Sequence, residues 1–69
     1  MRILIADDEA IIRLGLKATL EQMGHQVVGA ASDGEAAVAL AREAQPDLVM
    51  LDIKMPGLGG LEVLRRIKA

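Results

Sequence analysis

Leu48-Val49-Met50-Leu51-Asp52 is the stretch that decides the fold. An unbroken apolar run meets a carboxylate, with Pro46-Asp47 before it and Ile53-Lys54-Met55-Pro56-Gly57 after it. Such a run between turn signals predicts a strand buried on both faces, as in a parallel sheet covered by helices. Asp52 then stands at the strand's carboxyl end. Open α/β sheets place ligands and chemistry at that edge, so Asp52 is a candidate reactive group.

Working outward, the same theme recurs near the start. Ile3-Leu4-Ile5-Ala6 is a short apolar run that also ends in acids, Asp7-Asp8-Glu9. From Ala10 the period changes. Ile12, Leu16, Leu20 and Met23 recur at helical intervals, with Ile11, Leu14 and Ala18 filling the same side, which predicts an amphipathic helix with that face packed. Asp8 or Glu9 suits the helix's positive N-terminus, and Gly24 supplies a left-handed C-terminal residue. Gly15 inside it costs about 1 kcal/mol against Ala and reads as a point of close packing. Gln26 to Ala31, around Val27-Val28, predicts a strand nearer a sheet edge. Ser32-Asp33-Gly34-Glu35 has the form of a capping box, and Ala37, Leu40, Ala41 and Ala44 then define a helix face that Gln45-Pro46 ends. Beyond Asp52, the turn-rich Met55 to Gly60 leads into a further helix over Leu61 to Lys68.

The totals bound what such a chain can be. Its 69 residues allow one small domain, and a domain of this size buries only about 60% of the surface its unfolded chain exposes. Phe, Tyr and Trp are absent, so the core must be built from smaller aliphatic side chains and Met. Without Cys there is neither a disulfide nor a thiolate metal site, and a cytoplasmic, reducing compartment is expected. The chain shows no apolar span of membrane length. A net charge of −2 supplies no electrostatic reason for direct contact with nucleic acid.

Strand and helix alternating three times predict an α/β fold of parallel strands joined by right-handed crossovers. In the spatial order 2-1-3, Asp7, Asp8 and Asp52 meet at one crevice. Carboxylates so gathered repel one another unless a cation neutralises them. A hard ion such as Mg²⁺, which tolerates few protein ligands, suits the site better than zinc. A carboxylate can also act as a nucleophile toward phosphorus, giving an acyl phosphate.

With these residues in view, the chain resembles the receiver domain of bacterial two-component response regulators, a flavodoxin-like fold. The resemblance rests on Leu4-Ile5-Ala6-Asp7-Asp8-Glu9 and on Pro46 to Gly57, with Gly60 beyond, and it extends over residues 1–69. It implies that Asp52 is the phosphoacceptor charged by a sensor histidine kinase. It also implies that Asp7, Asp8 and Asp52 hold Mg²⁺, with the backbone carbonyl of Lys54 as a further ligand. Gly59 departs from the acid or small polar residue that many members carry before the Gly. Receivers have five βα units, so the resemblance makes this chain a partial domain truncated after the third. The family's Thr/Ser after strand four and Lys after strand five have no counterpart here. Asp8-Glu9-Ala10-Ile11-Ile12-Arg13 further resembles receivers joined to RNA-binding antiterminator domains, so a DNA- or RNA-binding output domain is expected outside this chain.

Plainer readings stand beside these. Asp8 alone could be a helix cap, and His25 a solvated turn residue. Met23 and Met50 read as core filler, and Arg65, Arg66 and Lys68 as a solvated helix face. Two other functions compete with the signalling module. One is a phosphatase of the haloacid-dehalogenase kind, whose D-x-D signature Asp7-Asp8-Glu9 does not offer. The other is an engineered or truncated half-domain with an idle site. Finally, in the order 2-1-3 the third strand is an edge with no charge, Pro or bulge within Leu48 to Leu51, so a homodimer or higher oligomer through that strand is expected.

Overall fold

The computed structural model describes residues 1–52 and 60–68. Along the chain run β1 (Arg2–Ala6), α1 (Ala10–Gln22), β2 (Gln26–Ala31), α2 (Gly34–Ala44), β3 (Leu48–Leu51) and α3 (Gly60–Lys68). The strands form one parallel sheet in the order β2-β1-β3, as the alternating pattern predicts.

Burial differs from the expectation drawn from β3. The strand sealed on both faces is β1, where Ile3, Leu4, Ile5 and Ala6 are buried, while Leu48 of β3 is 44% exposed and Val49 to Leu51 are half-buried. The reason is position. β1 has a neighbour on each side and helices above and below, whereas β3 has β1 on one side and no strand beyond it among the described residues. The alternation of β1 divides the core into two layers. Ala6 joins Ala31, Ala37, Val38 and Val63 beneath α2 and α3, with Leu40, Leu51 and Ile67 at the margin. Ile3 and Ile5 join Leu20 on the α1 side, with Leu16, Val27 and Met50 packed against them.

The apolar face expected of α1 is only partly used. Leu16 and Leu20 pack on the sheet, but Ile12 is 42%, Leu14 68%, Met23 65% and Ile11 82% exposed. One helix lying on a narrow sheet touches it along a single stripe, and residues i and i+4 suffice to fill that stripe. Gly15 marks no close packing either, since a Cβ there would meet nothing within 4 Å. Close approach occurs instead at Gly29, where a Cβ would stand 3.0 Å from Leu4 Cδ1 and 3.5 Å from Leu40 Cδ1. The β1–β2 register shifts between Ile3 and Leu4, so Ile3 faces Val27 and Leu4 faces Gly29.

Helix ends follow local chemistry. α1 closes at Gly24 (φ 93°), whose N–H donates to the Glu21 carbonyl while that of His25 donates to the Leu20 carbonyl, the double closure of a Schellman motif. At α2 the cap is Asp33 rather than the expected Ser32, its Oδ1 accepting from the Ala36 N–H at 2.8 Å. A carboxylate one residue further along can reach that amide, and its charge suits the helix N-terminus. Gln45, in the left-handed region at φ 46°, ends α2 before Pro46.

Candidate functional site

The parallel ladder delivers two of the acids to one edge. Ala6 pairs with Leu51, so Asp7 and Asp52 each follow the last residue of neighbouring strands. Backbone bonds carry the pairing one step further. The Asp7 N–H donates to the Ala31 carbonyl at 3.0 Å, and the Asp52 N–H donates to the Ala6 carbonyl at 2.9 Å. Both residues are therefore anchored by main chain, whatever their side chains do.

Asp7, Asp8 and Asp52 each bring a carboxylate oxygen into a group whose members all lie within 4.8 Å of one another. Asp7 and Asp52 are half-buried and Asp8 is exposed. This is the convergence expected from the order 2-1-3. Lys54 lies outside the described residues. Asp7 Oδ1 also accepts from the Glu9 N–H at 2.9 Å, an Asx turn that bends the chain into α1. Asp7 and Asp52 line an open cleft of about 340 Å³ together with Ala6, Leu16, Met50 and Leu51. Its floor is apolar and the acids stand at the carboxyl edge of the sheet.

Chemically, this donor set is oxygen only. Mg²⁺ takes oxygen ligands and is held by a small number of carboxylates together with waters and phosphate oxygens, a demand that this group of three acids meets. The residues present thus fit a small hard cation. His25, at the opposite edge of the sheet, accepts from the Met1 amino group through Nδ1 at 3.0 Å and has no part in the acid cluster. It is half-buried rather than fully solvated.

One residue near the site escaped the sequence reading. Arg13, on the first turns of α1, donates from Nη1 to the backbone carbonyl of Asp7 at 2.8 Å. Nothing in the spacing announces this contact, because an Arg that far into an amphipathic helix ordinarily faces solvent.

An acidic pair after one parallel strand, facing a lone Asp after the next, defines a class. The chain belongs to the response regulator receiver domain family, which it matches over residues 3–69. Members of this family are signalling domains of two-component systems rather than classical enzymes. Among curated relatives, the chain is 46% identical over 68 residues to the response regulator GacA of Pseudomonas viridiflava, covering 97% of this chain and 32% of that protein. It is 47% identical over 66 residues to the transcriptional regulatory protein PdtaR of Mycobacterium tuberculosis, covering 96% of this chain and 32% of that protein. The response regulator domain of Thermotoga maritima CheB superposes with a TM-score of 0.93 at 43% identity, covering 97% of this chain and 51% of that one. A receiver domain protein from Clostridium thermocellum gives 0.91 at 38% identity, covering 97% and 54%. The chain thus spans about a third of the curated relatives' length and about half of these solved receiver chains. No described helix is long and apolar enough to cross a membrane.

Proposed function

We propose that Asp52 is the phosphoacceptor of this receiver, charged by the phosphohistidine of a sensor kinase, and that Asp7, Asp8 and Asp52 together hold Mg²⁺. The observation that carries the reading is the approach of the Asp52 carboxylate to within 4.8 Å of those of Asp7 and Asp8 at the carboxyl edge of the sheet. An Asp52 oxygen bonds to phosphorus as the bond from phosphorus to the imidazole nitrogen breaks, its electron pair remaining on that nitrogen. Phosphoryl transfer of this kind depends on positioning and on neutralised charge. The main-chain anchors of Asp7 and Asp52 serve the first requirement. Bound Mg²⁺ supplies the second by opposing the charge on the phosphoryl oxygens. Family resemblance adds the Lys54 carbonyl to the ligand set.

In this reading residues 1–69 are the first three βα units of a five-unit receiver, and the family's Thr/Ser and Lys contacts to the phosphoryl group lie beyond them. Phosphorylation of these residues alone is then slow, and a longer parent works in the cytoplasm with a DNA- or RNA-binding output domain. Among the described residues no strand lies beyond β3, and Leu48 is 44% exposed, which favours association of this chain with a second copy of itself.

Treatment with acetyl phosphate or beryllofluoride tests the assignment. A parent with all five units takes up an acid-labile phosphoryl group, its Asp52→Asn variant does not, and the 69-residue chain responds weakly. Acid-labile phosphorylation that persists in Asp52→Asn overturns the role of Asp52.

A further inference from the structure

The connection from β1 to α1 consists of Asp7, Asp8 and Glu9, so two of the acids sit on a very short segment. That segment lacks one usual support. Glu9 is the N-cap of α1 but makes no side-chain cap hydrogen bond. Two other contacts hold the turn. Inside it, Asp7 Oδ1 accepts from the Glu9 N–H. From outside, Arg13 Nη1 donates to the Asp7 carbonyl at 2.8 Å in a half-buried setting.

Arg13 is well placed for this. Its own N–H donates to the Glu9 carbonyl at 3.0 Å, which locks its backbone into the first turn of α1. Helical side chains lean toward the helix N-terminus, so the guanidinium is directed back over the connection. The carbonyl it grips belongs to the peptide unit joining Asp7 to Asp8. Fixing that plane fixes the N–Cα bond from which the exposed Asp8 side chain departs.

We infer that Arg13 is a positioning residue for the metal site: by clamping the Asp7–Asp8 peptide it holds both carboxylates in the arrangement that receives the cation. The inference rests on the reading of Asp7, Asp8 and Asp52 as the Mg²⁺ ligands. Electrostatics and positioning make opposite demands here. A guanidinium beside a cation site repels the incoming ion, so by charge alone its removal tightens Mg²⁺ binding. As a clamp, its removal loosens binding, in the way that loss of partners supporting metal ligands weakens affinity by about tenfold or more. Arginine's donors suit a carbonyl held at fixed distance and angle, whereas lysine keeps the charge with a looser grip.

The experiment compares the 69-residue chain with Arg13→Ala and Arg13→Lys by two readouts. The first is Mg²⁺ titration followed through the amide shifts of Asp7, Asp8 and Asp52. The second, without metal, is hydrogen exchange at the Glu9 amide, which reports the turn itself. The expected result is an Mg²⁺ affinity about tenfold weaker in Arg13→Ala, with partial recovery in Arg13→Lys and faster Glu9 exchange in Arg13→Ala. Affinity equal to or tighter than wild type in Arg13→Ala overturns the inference. If the wild-type chain does not respond to Mg²⁺, the metal-site reading fails, and the positioning role toward the metal falls with it. Unchanged Glu9 exchange in Arg13→Ala removes the clamp independently of the metal. Should Arg13→Ala not fold, Arg13→Lys carries the test, and wild-type affinity together with wild-type exchange in that variant overturns the special fit of the guanidinium.

Discussion

The Arg2 guanidinium donates from Nη1 to the Ala44 carbonyl at 2.6 Å and to the Gln45 carbonyl at 3.0 Å, so the first residue of β1 closes the last turn of α2. These are carbonyls a helix leaves without an internal partner, and a cation there also meets the negative end of the helix dipole. The Arg2 N–H is held in turn by Asp47 Oδ2 at 2.8 Å, tying the start of β1 to the approach to β3. Arg2→Ala is therefore expected to lower stability by about 1 kcal/mol. A urea unfolding curve followed by far-ultraviolet circular dichroism reads this directly. A midpoint unchanged from wild type shows the contact to be idle.

Two glycines should respond oppositely to an added side chain. At Gly15, in the exposed part of α1, a Cβ meets open space, so Gly15→Ala raises stability by about 0.5–1 kcal/mol through helix propensity alone. At Gly29 the room is already taken by Leu4, which is fully buried, and by Leu40. Gly29→Val thus forces the core apart and costs about 1–3 kcal/mol. Thermal melts of the pair check both signs. Equal shifts in the same direction contradict the packing described for α1 and β2.

Removal of Asp8 should separate stability from metal binding. With chelator present, Asp8→Asn relieves repulsion among carboxylates, worth up to about 1 kcal/mol between unit charges at this spacing in water. Its melting temperature then rises at low ionic strength, and the gain shrinks in salt. The same variant loses the stabilisation that Mg²⁺ brings to wild type. If wild type and Asp8→Asn gain equally from Mg²⁺, the ion sits elsewhere.

The β3 edge predicts self-association. Two copies meeting about a two-fold axis place their third strands antiparallel and form one continuous six-stranded sheet. A charge on an edge strand opposes such pairing, so Leu48→Lys shifts the chain toward monomer in sedimentation equilibrium. A cooperative wild-type fold that remains monomeric across the micromolar range contradicts the proposal.

The order of elements was legible in the sequence because it rests on local periodicity. Ile12, Leu16 and Leu20 mark a helix, while Ile3 to Ala6 and Leu48 to Leu51 mark strands, whatever surrounds them. The acid cluster was legible too. Parallel strands in the order 2-1-3 bring their carboxyl ends to one edge, and Asp7, Asp8 and Asp52 follow directly from it. What the sequence could not determine was how much of each apolar face finds a partner. Leu48-Val49-Met50-Leu51 and Ile3-Leu4-Ile5-Ala6 are apolar runs of equal length, yet β1 alone holds the sealed core, since burial depends on neighbours and not on the residue itself. Likewise Ile11 and Leu14 share the composition of Leu16 and Leu20 but not their burial. The grips of Arg13 on Asp7 and of Arg2 on Ala44 belong to the tertiary structure for the same reason. A long flexible cation can reach many carbonyls, and only the packed backbone decides which one stands within hydrogen-bonding distance.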